Sequence, residues 1–149
     1  MKIRIDIDEK AEELEVTIRC RKVDAEVEKL QSAVIRALTD DDRIRLTQGD
    51  MEYYMVPEDI LFFETEGKKI YAHTKDEVFE AKLRLYELEE LLPRSFLRIS
   101  KSAIVGTKQI YAIDKNPVGP STVHFRGSHK QLSVSRQYFR ILQDRLNRK

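Results

Sequence analysis

The residues best placed to do chemistry in this chain are cations carried at turns and element ends. Arg94, Arg98 and Lys101 cluster around one expected loop. Lys108 follows the next, Arg126 and Lys130 flank a hairpin turn, and Arg136 and Arg140 open the last helix. Guanidinium and ammonium groups spaced this way are suited to holding a polyanion, because each can meet a separate phosphate and release condensed counterions. The net charge of +1 hides this arrangement. Residues 1–93 hold 15 Lys/Arg and 24 Asp/Glu, net −9, whereas residues 94–149 hold 12 Lys/Arg against Asp114 and Asp144 alone, net +10. A basic third on an acidic body is the electrostatic footprint of a polyanion partner.

Other chemistries find little support. His73, His124 and His129 with Cys20 form no zinc-ligand spacing. The five glycines are scattered and make no phosphate-cradling loop. There is no nucleophile elbow and no HExxH pair. Glu89-Glu90 reads as a solvated helix face, and His73 as a packed or surface strand residue. The expectation is a protein that is not an enzyme, with no metal, no cofactor and no small-molecule substrate. Cys20 reads as a small buried residue on a strand, and one cysteine fits a reducing cytoplasm. The longest apolar run, Ile60-Leu61-Phe62-Phe63, is far too short to span a bilayer.

Several elements must position those cations. Ile3, Ile5 and Ile7 alternate with charges, as do Val16, Ile18 and Cys20, the pattern of two half-buried strands. Val27, Leu30, Val34 and Leu38 then recur at helical spacing, with Asp24 as cap. The acidic run Thr39-Asp40-Asp41-Asp42 marks a boundary, giving an extension over residues 1–42 and a domain over 43–149. That domain opens as a meander of short strands punctuated at Gly49-Asp50, Pro57-Glu58-Asp59, Glu66-Gly67-Lys68 and Lys75-Asp76-Glu77. Leu85, Leu88, Leu91 and Leu92 share one face of a helix stopped by Pro93. After Phe96, assigned to the core, come a short element at residues 102–105, strands near 109–114, 122–126 and 131–134, and a helix capped by Ser135.

The stretch Ser95-Phe96-Leu97-Arg98-Ile99-Ser100-Lys101-Ser102-Ala103-Ile104-Val105 resembles the hallmark of the LytTR family of bacterial DNA-binding domains. Pro57-Glu58-Asp59-Ile60-Leu61-Phe62-Phe63-Glu64, Leu88-Glu89-Glu90-Leu91-Leu92-Pro93 and Leu132-Ser133-Val134-Ser135-Arg136 resemble three further pieces, in the family's order over residues 43–147. Gly106 departs from the pattern, which has Asn after the Ile-Val pair; a glycine there suggests a positive-φ turn.

The resemblance implies a mostly β, α+β fold: small antiparallel sheets with two helices, elongated, here preceded by a strand-strand-helix extension. It implies a cytoplasmic, sequence-specific transcriptional regulator whose loops enter successive major grooves of double-stranded DNA at repeat sites, as a homodimer on DNA. Carried over residue by residue, the DNA-binding positions are Lys68 and Lys69 after the Phe62-Phe63 strand, Arg98, Lys101 and Ser102 in the hallmark loop, and Ser135 with Arg136 at the last helix start. Arg98 has a competing role as a brace on backbone, and Ser102 as a helix cap. With about 42 residues before the domain, the chain resembles the members that lack a phosphorylatable receiver. These are often encoded beside a small integral-membrane protein that restrains them, so such a partner is a further expectation. The rival reading is a protein-interaction adaptor held by that membrane protein. RNA binding is a third, disfavoured because Tyr53, Tyr54, Phe62, Phe63 and Tyr71 lie in the acidic half.

Overall fold

The structure, a computed structural model, describes residues 1–38 and 42–147. Residues 39–41 of the expected boundary run lie outside the described residues. The chain divides into two compact units, Met1–Asp41 and Asp42–Lys149.

The first unit holds one helix, α1 (Ala25–Leu38). Asp24 caps it, its carboxylate accepting the Val27 N–H at 3.0 Å. The two strands expected before it do not form: residues 3–7 and 16–20 make no ladder, and Ile3, Ile5 and Ile7 are exposed. Alternation assigns faces to a segment, but a strand also needs a neighbouring edge to satisfy its N–H and C=O groups. Cys20, expected to be buried, is exposed for the same reason.

The second unit begins with five strands: β1 (Ile44–Gln48), β2 (Met51–Met55), β3 (Phe62–Glu66), β4 (Lys69–His73) and β5 (Val78–Ala81). Helix α2 (Leu85–Leu91) follows, then β6 (Phe96–Ser100) and β7 (Ala103–Gly106). The seven strands form one antiparallel sheet in the order β2-β1-β5-β4-β3-β7-β6. Strands β8 (Ile110–Asp114), β9 (Ser121–Phe125) and β10 (Gln131–Val134) form a second sheet, and α3 (Arg136–Leu146) packs on β6. The α+β architecture of small antiparallel sheets is therefore as the sequence implied. Strand β6 was not expected; its ladder with β7 slips between Arg98 and Ser100, and that bulge breaks the alternation a strand would show.

Gly49, Gly67 and Gly127 take positive φ in their turns. Pro93 stops α2 by holding Leu92 extended, at φ −79° and ψ 151°.

Two cores form on opposite faces of the large sheet. Ile44, Leu46, Phe63, Phe79, Ile104 and the α2 residues Leu85 and Leu88 make one. Leu61, Phe62, Ile99, Val105, the second sheet's Val123, Phe125, Leu132 and Val134, and α3's Leu142 make the other. Phe96 is half-buried and packs against the first, its ring 6.2 Å from that of Phe63.

Gly106 corrects an expectation. Its φ is −80°, which any residue adopts. The constraint is space: a Cβ there would lie 3.1 Å from the Phe96 ring and 3.2 Å from the Ile60 carbonyl oxygen. Gly106→Ala should destabilise the fold by about 1–3 kcal/mol through overpacking, read as a lower urea midpoint with unchanged slope.

His73 stacks on Phe62 at 4.3 Å, and its Nδ1 is buried without a hydrogen-bond partner. Burial first, then the nearby Lys130 ammonium, pulls its imidazole down to about 4 from an ordinary 6.5. The unfolded chain therefore binds the proton more readily than the folded one. The resulting stability is full above the ordinary value and is lost as pH falls towards 4. His73→Phe, which keeps a ring against Phe62, should flatten that part of the melting-temperature profile.

Candidate nucleic-acid interface

Strand register decides which of the expected residues come together. β3 pairs with β4 through a tight turn at Gly67-Lys68, and β7 runs antiparallel to β3 with Ala103 opposite Glu64. The β6–β7 turn, Lys101-Ser102, thus lies at the same end of the sheet as the β3–β4 turn. The Thr65 N–H donates to the Ser102 carbonyl at 2.8 Å and ties the two turns side by side.

Arg98 organises the second turn. Its Nε donates to the Ser100 carbonyl at 3.0 Å and its Nη2 to the Lys101 carbonyl at 2.6 Å. Its Nη1 donates to Glu89 at 2.7 Å, so this α2 carboxylate is more than a solvated charge. The planar fork spans acceptors that one ammonium could not. The Ser100 hydroxyl accepts the Ser102 N–H at 3.1 Å and lies 3.3 Å from the Ser102 hydroxyl. Ser102 caps no helix; β7 follows it directly.

At α3, the Ser135 hydroxyl accepts the Tyr138 N–H at 3.4 Å, as an N-cap. Arg136, Gln137 and Arg140 line an open depression on the first two turns. At the far end Arg145 donates to the Arg94 carbonyl at 2.5 Å, just before β6.

Among the described residues, the side chains of Lys68, Lys101 and Arg136 make no hydrogen bond or ion pair, and all three are exposed. Lys69 differs, lying 3.7 Å from Glu80 on the neighbouring strand. Half-buried Glu64, on β3 before the first turn, has its carboxyl pushed up by burial and then by Glu66.

Three contacts had no sequence signal. Arg126 lies over the Tyr111 ring at 5.4 Å. Ser128 donates to the Lys75 carbonyl at 2.8 Å, and the Lys130 ammonium to the Glu77 carbonyl. Burial lowers the Lys130 pKa although Asp76 and Glu77 act to raise it. These bonds fasten the β9–β10 hairpin to the β4–β5 turn across more than fifty residues of sequence. Among the described residues no group of His, Cys, Asp and Glu is placed to hold a metal, and no helix is long and apolar enough to cross a membrane.

The profile of the LytTr DNA-binding domain matches residues 51–147. A protein of Staphylococcus aureus strain MSSA476 is 33% identical over 150 residues, covering 99% of both chains, and carries the name "Uncharacterized HTH-type transcriptional regulator". A relative with the same description in strain NCTC 8325 is 32% identical with the same coverage. The solved LytTr DNA-binding domain of a protein from Bacillus cereus, described as a methyl-accepting/DNA response regulator, superposes with a TM-score of 0.65. That match covers 71% of this chain and 97% of the other at 24% identity, a likeness of fold.

Arg98→Ala should cost about 1–3 kcal/mol of stability by leaving two turn carbonyls without their charged donor. Arg98→Lys should recover little of it, and Glu89→Ala should cost less than about 1 kcal/mol as half of an exposed pair. Urea unfolding of the three variants measures the ranking.

Proposed function

The chain belongs to the LytTR family of DNA-binding domains, and from that premise we propose that it is a sequence-specific transcriptional regulator of the cytoplasm. Residues 43–149 bind double-stranded DNA, and residues 1–42 form an extension outside that contact. The reading rests chiefly on the Thr65–Ser102 hydrogen bond, which supports a shared role for two turns carrying unpaired cations, Lys68 and Lys101.

In this reading Lys68 and Lys101 meet phosphates, and the Ser102 hydroxyl a phosphate or base edge beside them. Arg98 acts by holding the turn in shape, with its open edge towards the duplex. Lys69 flanks the site and shares its charge with Glu80. Arg136 reads a base through its planar fork, while Ser135 and the first amides of α3 hold an adjacent phosphate. The tether at Arg94 supports this grouping: α3 packs on β6, and running back along it carries Arg136 towards the β6–β7 turn. Turns and one helix start then contact successive grooves, and a homodimer on repeat sites is the arrangement that two such contacts fit.

The relatives are named for a helix-turn-helix. Strands separate each helix of this chain from the next, which favours turns over a paired-helix reader.

Arg136→Ala should weaken specific binding by about 1–3 kcal/mol and relax preference at one base position. Lys101→Ala should weaken all duplexes alike and lower the salt slope by about one. Gel shifts against the fragments recovered from a genomic pull-down test both; unchanged binding by both variants overturns the assignment. Failure to retain any duplex at low salt, with retention of a membrane protein, favours the adaptor instead.

A further inference from the structure

Residues 1–37 contain no buried side chain, although three of their segments are patterned for burial. Ile3, Ile5 and Ile7 stand 89%, 84% and 90% exposed. The α1 stripe of Val27, Leu30 and Val34 reaches only half burial. Three isoleucines on one face of an unpaired segment differ from scattered surface residues; they are a strand face and edge without a partner.

The charges of that segment specify a partner. Lys2-Ile3-Arg4-Ile5-Asp6-Ile7-Asp8 is antisymmetric in charge about Ile5. Laid antiparallel on a second copy with Ile5 on the two-fold axis, Lys2 faces Asp8 and Arg4 faces Asp6. On the other face Ile3 meets Ile7, and Ile5 meets its own counterpart. Every cation finds an anion and every isoleucine an isoleucine, which is the cross-strand pairing that stabilises a sheet. A parallel pair in register would set like charge against like.

The alternative inside the chain is worse. Pairing residues 3–7 with 16–20 so that Ile3, Ile5 and Ile7 meet Cys20, Ile18 and Val16 sets Arg4 against Arg19 and Asp8 against Glu15. Like charges directly opposite destabilise a strand pair, and this ladder is the one absent from the structure. Arg4 and Asp6 lie 3.1 Å apart along one segment, both largely exposed, so turning to a second copy breaks no buried contact. A two-stranded ribbon is marginal in water unless a helix covers its apolar face. The half-covered stripe of α1 is a surface of that kind.

We propose that residues 2–8 pair antiparallel with the same residues of a second copy across a two-fold axis at Ile5, making the Met1–Asp41 unit a dimerisation element. The interface is isologous and closes at two copies. It forms without DNA.

Sedimentation equilibrium of the full chain without DNA tests this, and its failure leaves the DNA reading standing. The wild type should be a dimer. Lys2→Glu with Arg4→Glu, and separately Asp6→Lys with Asp8→Lys, should each weaken self-association roughly tenfold or more, while an equimolar mixture forms the heterodimer. In a Cys20→Ser background, Ile5→Cys should cross-link to itself on mild oxidation and Val23→Cys should not. Unchanged melting of each variant shows that the second unit stays folded. A monomeric wild type, charge variants that dimerise as the wild type does, or a mixture without heterodimer overturns the proposal.

Discussion

The β3–β7 ladder is buried on both faces, and the rest of the second unit depends on it. Phe62 and Phe63 are consecutive, so their side chains leave the sheet on opposite sides, one into each core. Val105 and Ile104 repeat this on β7. Each buried aromatic or aliphatic side chain is worth about 1.5–3 kcal/mol, and here both layers draw on the same pair of strands. Leu61 extends the seam beyond β3: its N–H donates to the His73 carbonyl and its carbonyl accepts the Gly106 N–H, both at 2.8 Å. At the other end, the same two strands bring the Lys68 and Lys101 turns together. The spacing of those cations is therefore a property of the core.

Charge is distributed by a different rule. The β3 and β7 strands of the seam carry no cation, and Lys68, Lys101 and Arg136 stand exposed at turns and a helix start. Arg98, Lys130 and Arg145 differ, each turning its donors onto backbone carbonyls of the domain. One unit carries both the acidic strands β1 to β5 and the basic last third. A division by sign of charge at Pro93 would cut between α2 and β6, through the layers that hold the turns.

Local signals were legible wherever local physics decides. Asp24 and Ser135 cap the helices they precede, and Gly49, Gly67 and Gly127 mark turns that need positive φ. The five short strands β1 to β5 could be read from their turn spacing, but the expected meander is broken: β5 pairs back with β1, which leaves β2 at the sheet edge and apart from β3. What could not be read depends on neighbours distant in sequence. Gly106 answers to Phe96 and Ile60, which converge on it only after folding. Strand β6 was obscured by its own bulge. The segment at residues 3–7 showed a face but not whether an edge would meet it. For the candidate site, the residue types were visible; that Arg98 is held by Glu89 from α2, and that Lys69 lies beside Glu80, required the tertiary arrangement.

The double-sided seam also sets an order in time. Phe62 stacks on Phe125 with ring centroids 5.3 Å apart, and the same core is completed by Leu142 of α3. During synthesis at roughly 5–20 residues per second, the ribosome needs several seconds to carry the chain from one phenylalanine to the other. For that interval the first core can close against α2 while the opposite face of the sheet stays open to solvent. The nascent domain is thus a half-covered sheet until its final helix emerges, and its most vulnerable moment comes with most of its strands already made.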